Sequence, residues 1–405
     1  MHDRLRITED GKERMKILYV YGMAETKDIF YTLRKMGYDV EEYPRKQENS
    51  VLNDPEMDKL TEYIKKHHIS HLMSIHLIYN LALVSYRLGI QYISIIWDAP
   101  YIKLYSPFGR MNNCWFSVFD RLDCERFRRD GIPHVIYQPL AVNDDTVRRW
   151  NEGRKGKRKY RHEISFVGSL YENNFYDRCL KEMPERIQNY FIGIFEEAAF
   201  RWDGVNRIYG KTDKVILDYM KKIIPDFSMD TNLDIDEISF FEILYLVRKI
   251  ANIERVCVLN TLSDMFRVTL YTNEGTDVSM LPNVKVMPPV LSGDPVSKVY
   301  AESKINLNIS LKGIEGGTPQ RVMDIIGAGG FVLTNYCPET AELFEEDKEI
   351  VMFKSPEELV EKAAYYLSHD EEREQIVRAG YDKLLHCYTY EKKLKQLIDW
   401  VTGGK

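Results

Sequence analysis

None of the six cysteines stands in a CxxC pair; Cys114, Cys124, Cys179, Cys257, Cys337 and Cys387 are scattered singly along the chain. That excludes a disulfide framework and the usual zinc spacings, and a reducing cytoplasmic setting is expected. No apolar run is long enough to cross a membrane, and residues 1–16 are polar and charged rather than built like a signal peptide. Positive charge is not in excess either: the formal net charge is -6, so no general affinity for nucleic acid or an anionic membrane is expected. Repeats and low-complexity tracts are absent. So is the GxGxxG fingerprint after the first strand, where the chain reads Gly22-Met23-Ala24-Glu25. NAD and FAD are therefore not expected as cofactors.

What is present is enough apolar material for two cores. The 405 residues are 44% hydrophobic, and a chain of this length is expected to divide into two domains. Short apolar runs such as KILYVY, HLMSIH and QYISIIWD alternate with segments of helical spacing, which predicts parallel sheets covered by helices. The basic run from Gly153 to Arg161 reads as a solvated linker and marks the expected boundary. The domains are placed at 1–155 and 156–387, with a helical, aromatic-rich insert over about 175–266 and a terminal helical segment at 388–405.

The stretch from Lys304 to Tyr336 carries the strongest chemical signal. A strand ending at Ile309 runs into a Gly-rich loop, a helix and the strand FVLT, a βαβ unit whose loop falls at the carboxyl edge of the sheet. Thr318 is expected as the helix N-cap, with Pro319 in the first turn. Gly316 and Gly317 let a phosphate approach the backbone, and Arg321 can fork onto its oxygens. Glu315 and Asp324 add carboxylates, which suit sugar or ribose hydroxyls. An ordinary crossover closed by a glycine turn accounts for the same pattern. Gly168-Ser169, at the end of the strand HEISFVG, also permits close backbone approach. The loop GSLYENN has no base of its own, so Lys312 and Arg321 are left to meet an anion.

In the first half, strands end at His76, at Trp97-Asp98 and at Phe119-Asp120. His76 and Asp98 are candidates for acid–base or substrate-contact work, with a partly buried histidine and a turn cap as the plain alternatives. Asp120 is expected to cap the following helix. His67, His68 and His71 mix with lysines at a helix end and read as solvated surface rather than as metal ligands. Two decoys are set aside. Gly210-Lys211-Thr212 resembles the end of a P-loop, but Gly204 precedes it at the wrong spacing. Asp234-Ile235-Asp236 resembles a metal-binding DxD, but it precedes a helix that it is expected to cap.

The loop and helix around Glu315 and Asp324 resemble the donor-binding segment of GT-B glycosyltransferases. Asp324 falls where retaining members carry their second acid, one methylene shorter, and Glu315 lies one residue upstream of their first. Over most of its length the chain resembles the spore-maturation-protein (CgeB-like) glycosyltransferases. The matching stretches are, in order, YISIIWDAP, CWFSVFD, HEISFVGSLYENN, SKINLNIS, QRVMDIIGAGGFVLTNY, ETAELFEEDKEIVMF and REQIVRAGYDKLLHCYTYEKKL. The resemblance implies an α/β fold of two Rossmann-like domains facing across a cleft, with the last helix crossing back to the first domain.

It also implies a metal-independent glycosyltransferase with no cofactor, moving a sugar from a nucleotide diphosphate sugar to a glycan or protein acceptor. Gly168, Ser169, Lys312, Gly316, Gly317, Thr318, Arg321 and Asp324 would bind the donor. Glu315 would position the sugar, and His76 or Asp98 would supply the base that an inverting enzyme needs. Two alternatives stand beside it: a sugar-nucleotide epimerase of the same shape, and a catalytically inactive nucleotide-sugar-binding protein.

Overall fold

The structure, a computed structural model, describes residues 15–21, 27–44, 54–152, 159–225 and 227–403. The tetrapeptide Gly22-Met23-Ala24-Glu25, and residues 153–158 of the basic run, lie outside the described residues. The chain gathers into two compact units, one ending at Pro139 and resuming at Thr389, the other running from Leu140 to Tyr388.

The first unit alternates β1 (Lys16–Tyr21), α1 (Lys27–Lys35), β2 (Asp39–Pro44), α2 (Asp54–Lys66), β3 (His71–Ile75), α3 (Tyr79–Leu88) and β4 (Gln91–Ile96). Two 3₁₀ turns follow, then β5 (Cys114–Val118), α4 (Arg121–Arg129) and β6 (Val135–Tyr137). All neighbours pair in parallel, in the order β2-β1-β3-β4-β5-β6. Helices cover such a sheet on both faces, so its strands are continuous apolar runs: Ile17 to Val20 and Tyr92 to Ile96 are buried throughout. Asp120 caps α4, its Oδ1 accepting from the Asp123 N–H at 3.1 Å.

The second unit opens with α5 (Asp144–Asn151) and β7 (His162–Val167). An insert follows, made of α6 (Phe175–Cys179), α7 (Glu185–Ala198), α8 (Lys214–Ile223), α9 (Glu237–Phe241), a π-helical turn over Glu242–Leu246, and α10 (Val247–Ser263). The chain continues through β8 (Val268–Tyr271), β9 (Lys285–Met287), α11 (Asp294–Ala301), β10 (Ser303–Asn308), α12 (Gln320–Gly327), β11 (Val332–Asn335), α13 (Pro338–Leu343), β12 (Val351–Phe353), α14 (Pro356–Ser368) and α15 (Asp370–Cys387). Its parallel sheet runs β12-β11-β10-β7-β8-β9. Strand order therefore reverses between β7 and β10, the place where open α/β sheets take ligands.

The division between Pro139 and Leu140 precedes the expected boundary at residue 155, because α5 belongs to the second unit. Asn151 Nδ2 donates to Gly327 O at 2.8 Å, and Trp150 Nε1 donates to Asp294 Oδ1 at 2.7 Å. The terminal helix α16 (Tyr390–Val401) lies in the first unit. Its buried Lys393 donates to Pro139 O at 2.9 Å, and Trp400 meets Trp115 edge-on at 4.8 Å between ring centroids.

The insert has a core of its own, in which Phe175 packs edge-on against Phe191 and Phe241. At its centre the buried Glu242 accepts backbone N–H bonds from Gly210 at 2.8 Å, Lys211 at 2.9 Å and Thr212 at 2.7 Å. The peptide that resembles a P-loop thus wraps a carboxylate of the protein itself. Asp236 caps α9, its Oδ1 accepting from the Ser239 N–H at 2.9 Å, so the second acid of the DxD-like pair serves the helix.

Candidate functional site

Strands β7 and β10 end side by side, and their loops hold most of the donor-binding candidates. Asn335, closing β11, accepts the Ser310 N–H at 2.7 Å and so ties the start of the Gly-rich loop to the neighbouring strand. Thr318 is not the N-cap of α12. Its hydroxyl donates to Glu339 Oε2 at 2.6 Å and lies 2.9 Å from Thr340 Oγ1, which draws it away from the helix. Pro319 takes the cap position and has no side chain to accept a bond. The first turn of α12 therefore keeps N–H groups without a side-chain cap, an arrangement that favours an anion.

Arg321 extends from that turn across the end of β7. Its Nη1 donates to Asn308 Oδ1 at 3.1 Å, and its guanidinium lies 5.3 Å from the Phe166 ring centroid. Gly168 makes this possible, since a Cβ there would fall 2.9 Å from Arg321 Nη2. A second guanidinium, which sequence reasoning missed, reaches the same loops from α10. Arg255 is 3% exposed and donates to Ser169 O at 2.6 Å and Ile309 O at 2.8 Å, fastening the β7 and β10 loops together. Burial, and then the positive charge of Arg321, bring its pKa down to about 10. Arg321 and Arg255 donate here to neutral oxygens, so among the described residues the corner between β7 and β10 carries two cations with no carboxylate hydrogen-bonded to them.

Lys312 does not join that corner. Its Nζ donates to Arg201 O at 2.5 Å, lies 3.2 Å from Glu254 Oε1, and sits 5.3 Å from the Trp202 ring centroid. Burial pushes Glu254 up and Lys312 down, each toward its neutral form, while their mutual attraction opposes both shifts. Lys312, expected to meet donor phosphates, is held by this pairing at the edge of the pocket it lines. Asp324, half-buried on α12, accepts from Gln320 Nε2 at 2.8 Å, and Ser169 Oγ accepts from the Tyr171 N–H at 3.1 Å. Gly316 and Gly317 are buried within the loop.

A pocket with about 580 Å³ of empty space, open solvent included, is lined in part by this loop. Lys312, Glu315 and Gly317 line it from the β10 loop, and Tyr336 to Pro338 line it from the end of β11. Its outer wall is the segment from Ala198, the last residue of α7, to Ile208 in the insert. Nothing in the periodicity of that segment marks it as part of a site.

In the first unit, His76 and Asp98 come together at the ends of β3 and β4. The His76 Nε2 lies 3.5 Å from Asp98 Oδ2, and the imidazole stacks on Tyr101 at 5.2 Å between centroids. His76 has a left-handed backbone, φ 57°, held by the bond from its N–H to Ile95 O at 2.9 Å and by the Ser74 hydroxyl on its carbonyl at 2.9 Å. Non-glycine residues in this region are uncommon, and they cluster at functional positions. Asp98 is open to solvent, with 74% of its side chain exposed. His67, by contrast, stacks on Tyr63 and lies 2.7 Å from Glu41 Oε2; among the described residues no cluster of three or more His, Cys, Asp or Glu could hold a metal.

The fold is the GT-B fold of glycosyltransferases. A family model described as Glycosyl transferase-like matches residues 255–399, which include Arg255, the β10 loop and α12. Among solved structures, a glycosyltransferase from Rickettsia africae is similar over 97% of this chain and 100% of its own, with a TM-score of 0.53 and 8% identity. HepE of Anabaena, solved with UDP-glucose, is similar over 96% of this chain and 100% of its own, with a TM-score of 0.53 and 9% identity. The T4 phage enzyme BGT, solved with its UDP-glucose substrate, is similar over 96% of this chain and 99% of its own, with a TM-score of 0.51 and 10% identity. No curated protein matches the chain by sequence. No helix among the described residues is long and apolar enough to cross a membrane.

Proposed function

We propose that the chain is a glycosyltransferase of the spore-maturation-protein type. It moves a sugar from a nucleoside diphosphate sugar to a glycan or protein acceptor, without a bound metal. The observation that carries this reading is the corner between β7 and β10. Arg321 and Arg255 sit there with neutral partners, beside a helix start that lacks a side-chain cap. A leaving diphosphate gains negative charge as the glycosidic bond breaks, and fixed cations and N–H groups aimed at it lower the barrier.

Within this reading Arg321 contacts the diphosphate, and Arg255 holds the two loops that frame it. Asp324 takes the ribose, and Glu315 takes hydroxyls of the sugar. His76 and Asp98 serve the acceptor, as the base if the reaction inverts the anomeric centre. The UDP-glucose named for HepE and BGT makes uridine sugars the first donors to try.

The test is to incubate the protein with UDP-glucose and to follow released UDP and the sugar separately. Release of UDP with transfer of glucose to an acceptor or to water supports the proposal. Conversion of the sugar with the nucleotide still attached assigns an epimerase instead. Binding with neither change assigns a nucleotide-sugar-binding protein.

A further inference from the structure

Two side chains of the pocket's insert wall, Trp202 and Asn206, carry buried N–H donors that lack acceptors. Trp202 is 2% exposed, and its indole Nε1 has no hydrogen-bond partner. Asn206 spends its Oδ1 on the N–H groups of Ile208 at 2.8 Å and Tyr209 at 3.0 Å, while its Nδ2 is buried without a partner. Arg201 stands exposed at the rim, and among the described residues its guanidinium makes no hydrogen bond. Glu197, itself bonded to Lys211, is the carboxylate that feels the Arg201 charge, whereas Arg207 forks onto Asp203 with both bonds at 2.7 Å and Lys312 faces Glu254. Buried donors without acceptors cost free energy, and a ligand that brings acceptors recovers it.

From this we infer that the segment from Arg201 to Asn206 selects a sugar bearing a carboxylate, a uronic-acid type of donor. A carboxylate is acceptor-only, with two oxygens that match an Arg fork, and it can also take the Asn206 and Trp202 donors. Glu315 lines the pocket from the opposing β10 loop, so the ring's hydroxyls face Glu315 and its carboxylate faces the insert. This inference rests on the proposed donor-binding function. It assigns selectivity to an element outside the α/β core.

Calorimetric titration of the intact chain with UDP, UDP-glucose and UDP-glucuronate tests it. UDP-glucuronate should bind about tenfold or more tighter than UDP-glucose, the gain expected of one charge-assisted fork. Arg201→Ala should cut that preference to about threefold or less and leave UDP affinity unchanged. Asn206→Asp keeps the Oδ acceptor for Ile208 and Tyr209 but swaps the donor for a charge that repels the ligand, and should abolish the preference. Trp202→Phe keeps an aromatic ring beside Lys312 while deleting the N–H, and should weaken the preference partway. If UDP binds but the two sugars do not differ, or if the preference survives both Arg201→Ala and Asn206→Asp, the inference is overturned and the donor reading stands. If none of the three binds, the uridine-donor reading fails and the inference fails with it.

Discussion

Two loops of the second unit present backbone N–H groups in the manner of anion sites, and they differ in what faces them. At Gly210 to Thr212 three N–H groups converge on Glu242, a carboxylate delivered by the π-helical turn. At the β7–β10 corner the start of α12 has no side-chain cap, and two arginines lie beside it with bonds to neutral oxygens. The first loop is satisfied from within the chain. The second has cations and donors that a bound diphosphate would satisfy. A glycine-lysine-threonine run in the sequence therefore says less than the identity of the group that ends up opposite it.

Perturbing the filled loop should give the largest change in stability. Glu242→Ala removes the acceptor of three N–H groups, of which Thr212 is buried while Gly210 and Lys211 are open to water. Destabilisation of about 2–4 kcal/mol is expected, since water can partly replace the bond at the two exposed residues. Urea unfolding measures it, and nucleotide affinity of the folded fraction should not change. A second perturbation sharpens the contrast from the side of the first unit. His76→Asn, which tolerates the same left-handed backbone, and Asp98→Asn should each lower sugar transfer by about 10²-fold while UDP affinity stays within about threefold. Full transfer activity in both variants would make the pair structural. The smallest effect is expected from chelation: EDTA should leave UDP binding and transfer as they were, because the cations facing the corner are arginines. Loss of activity under EDTA, restored by Mg²⁺ or Mn²⁺, would contradict this assignment.

The βαβ unit at the centre of the second sheet was legible because each of its parts has a local cause. The apolar run of β10, the glycines of the loop, and the apolar face of α12 are separate signals in adjacent residues. Thr318 was misplaced because its partners, Glu339 and Thr340, are set by tertiary packing. Arg255 and Glu254 looked like ordinary residues of a long helix, yet one fastens the strand-end loops and the other captures Lys312. The pocket wall from Ala198 to Ile208 was invisible for a similar reason: an irregular segment carries no periodicity, and only the packing of the insert brings it over the β10 loop. The basic run after α5 is the most conspicuous break in the sequence, whereas the contacts of Trp150 and Asn151 tie α5 to the second unit.

The central claim is that the β7–β10 corner, through Arg321, binds the diphosphate of the donor. Calorimetric titration of UDP into the wild-type chain and into folded Arg321→Ala tests it most directly. Loss of a charge-assisted bond predicts weaker binding by about 1.5–3 kcal/mol, roughly 10- to 150-fold. Equal affinity in the two proteins would contradict the claim.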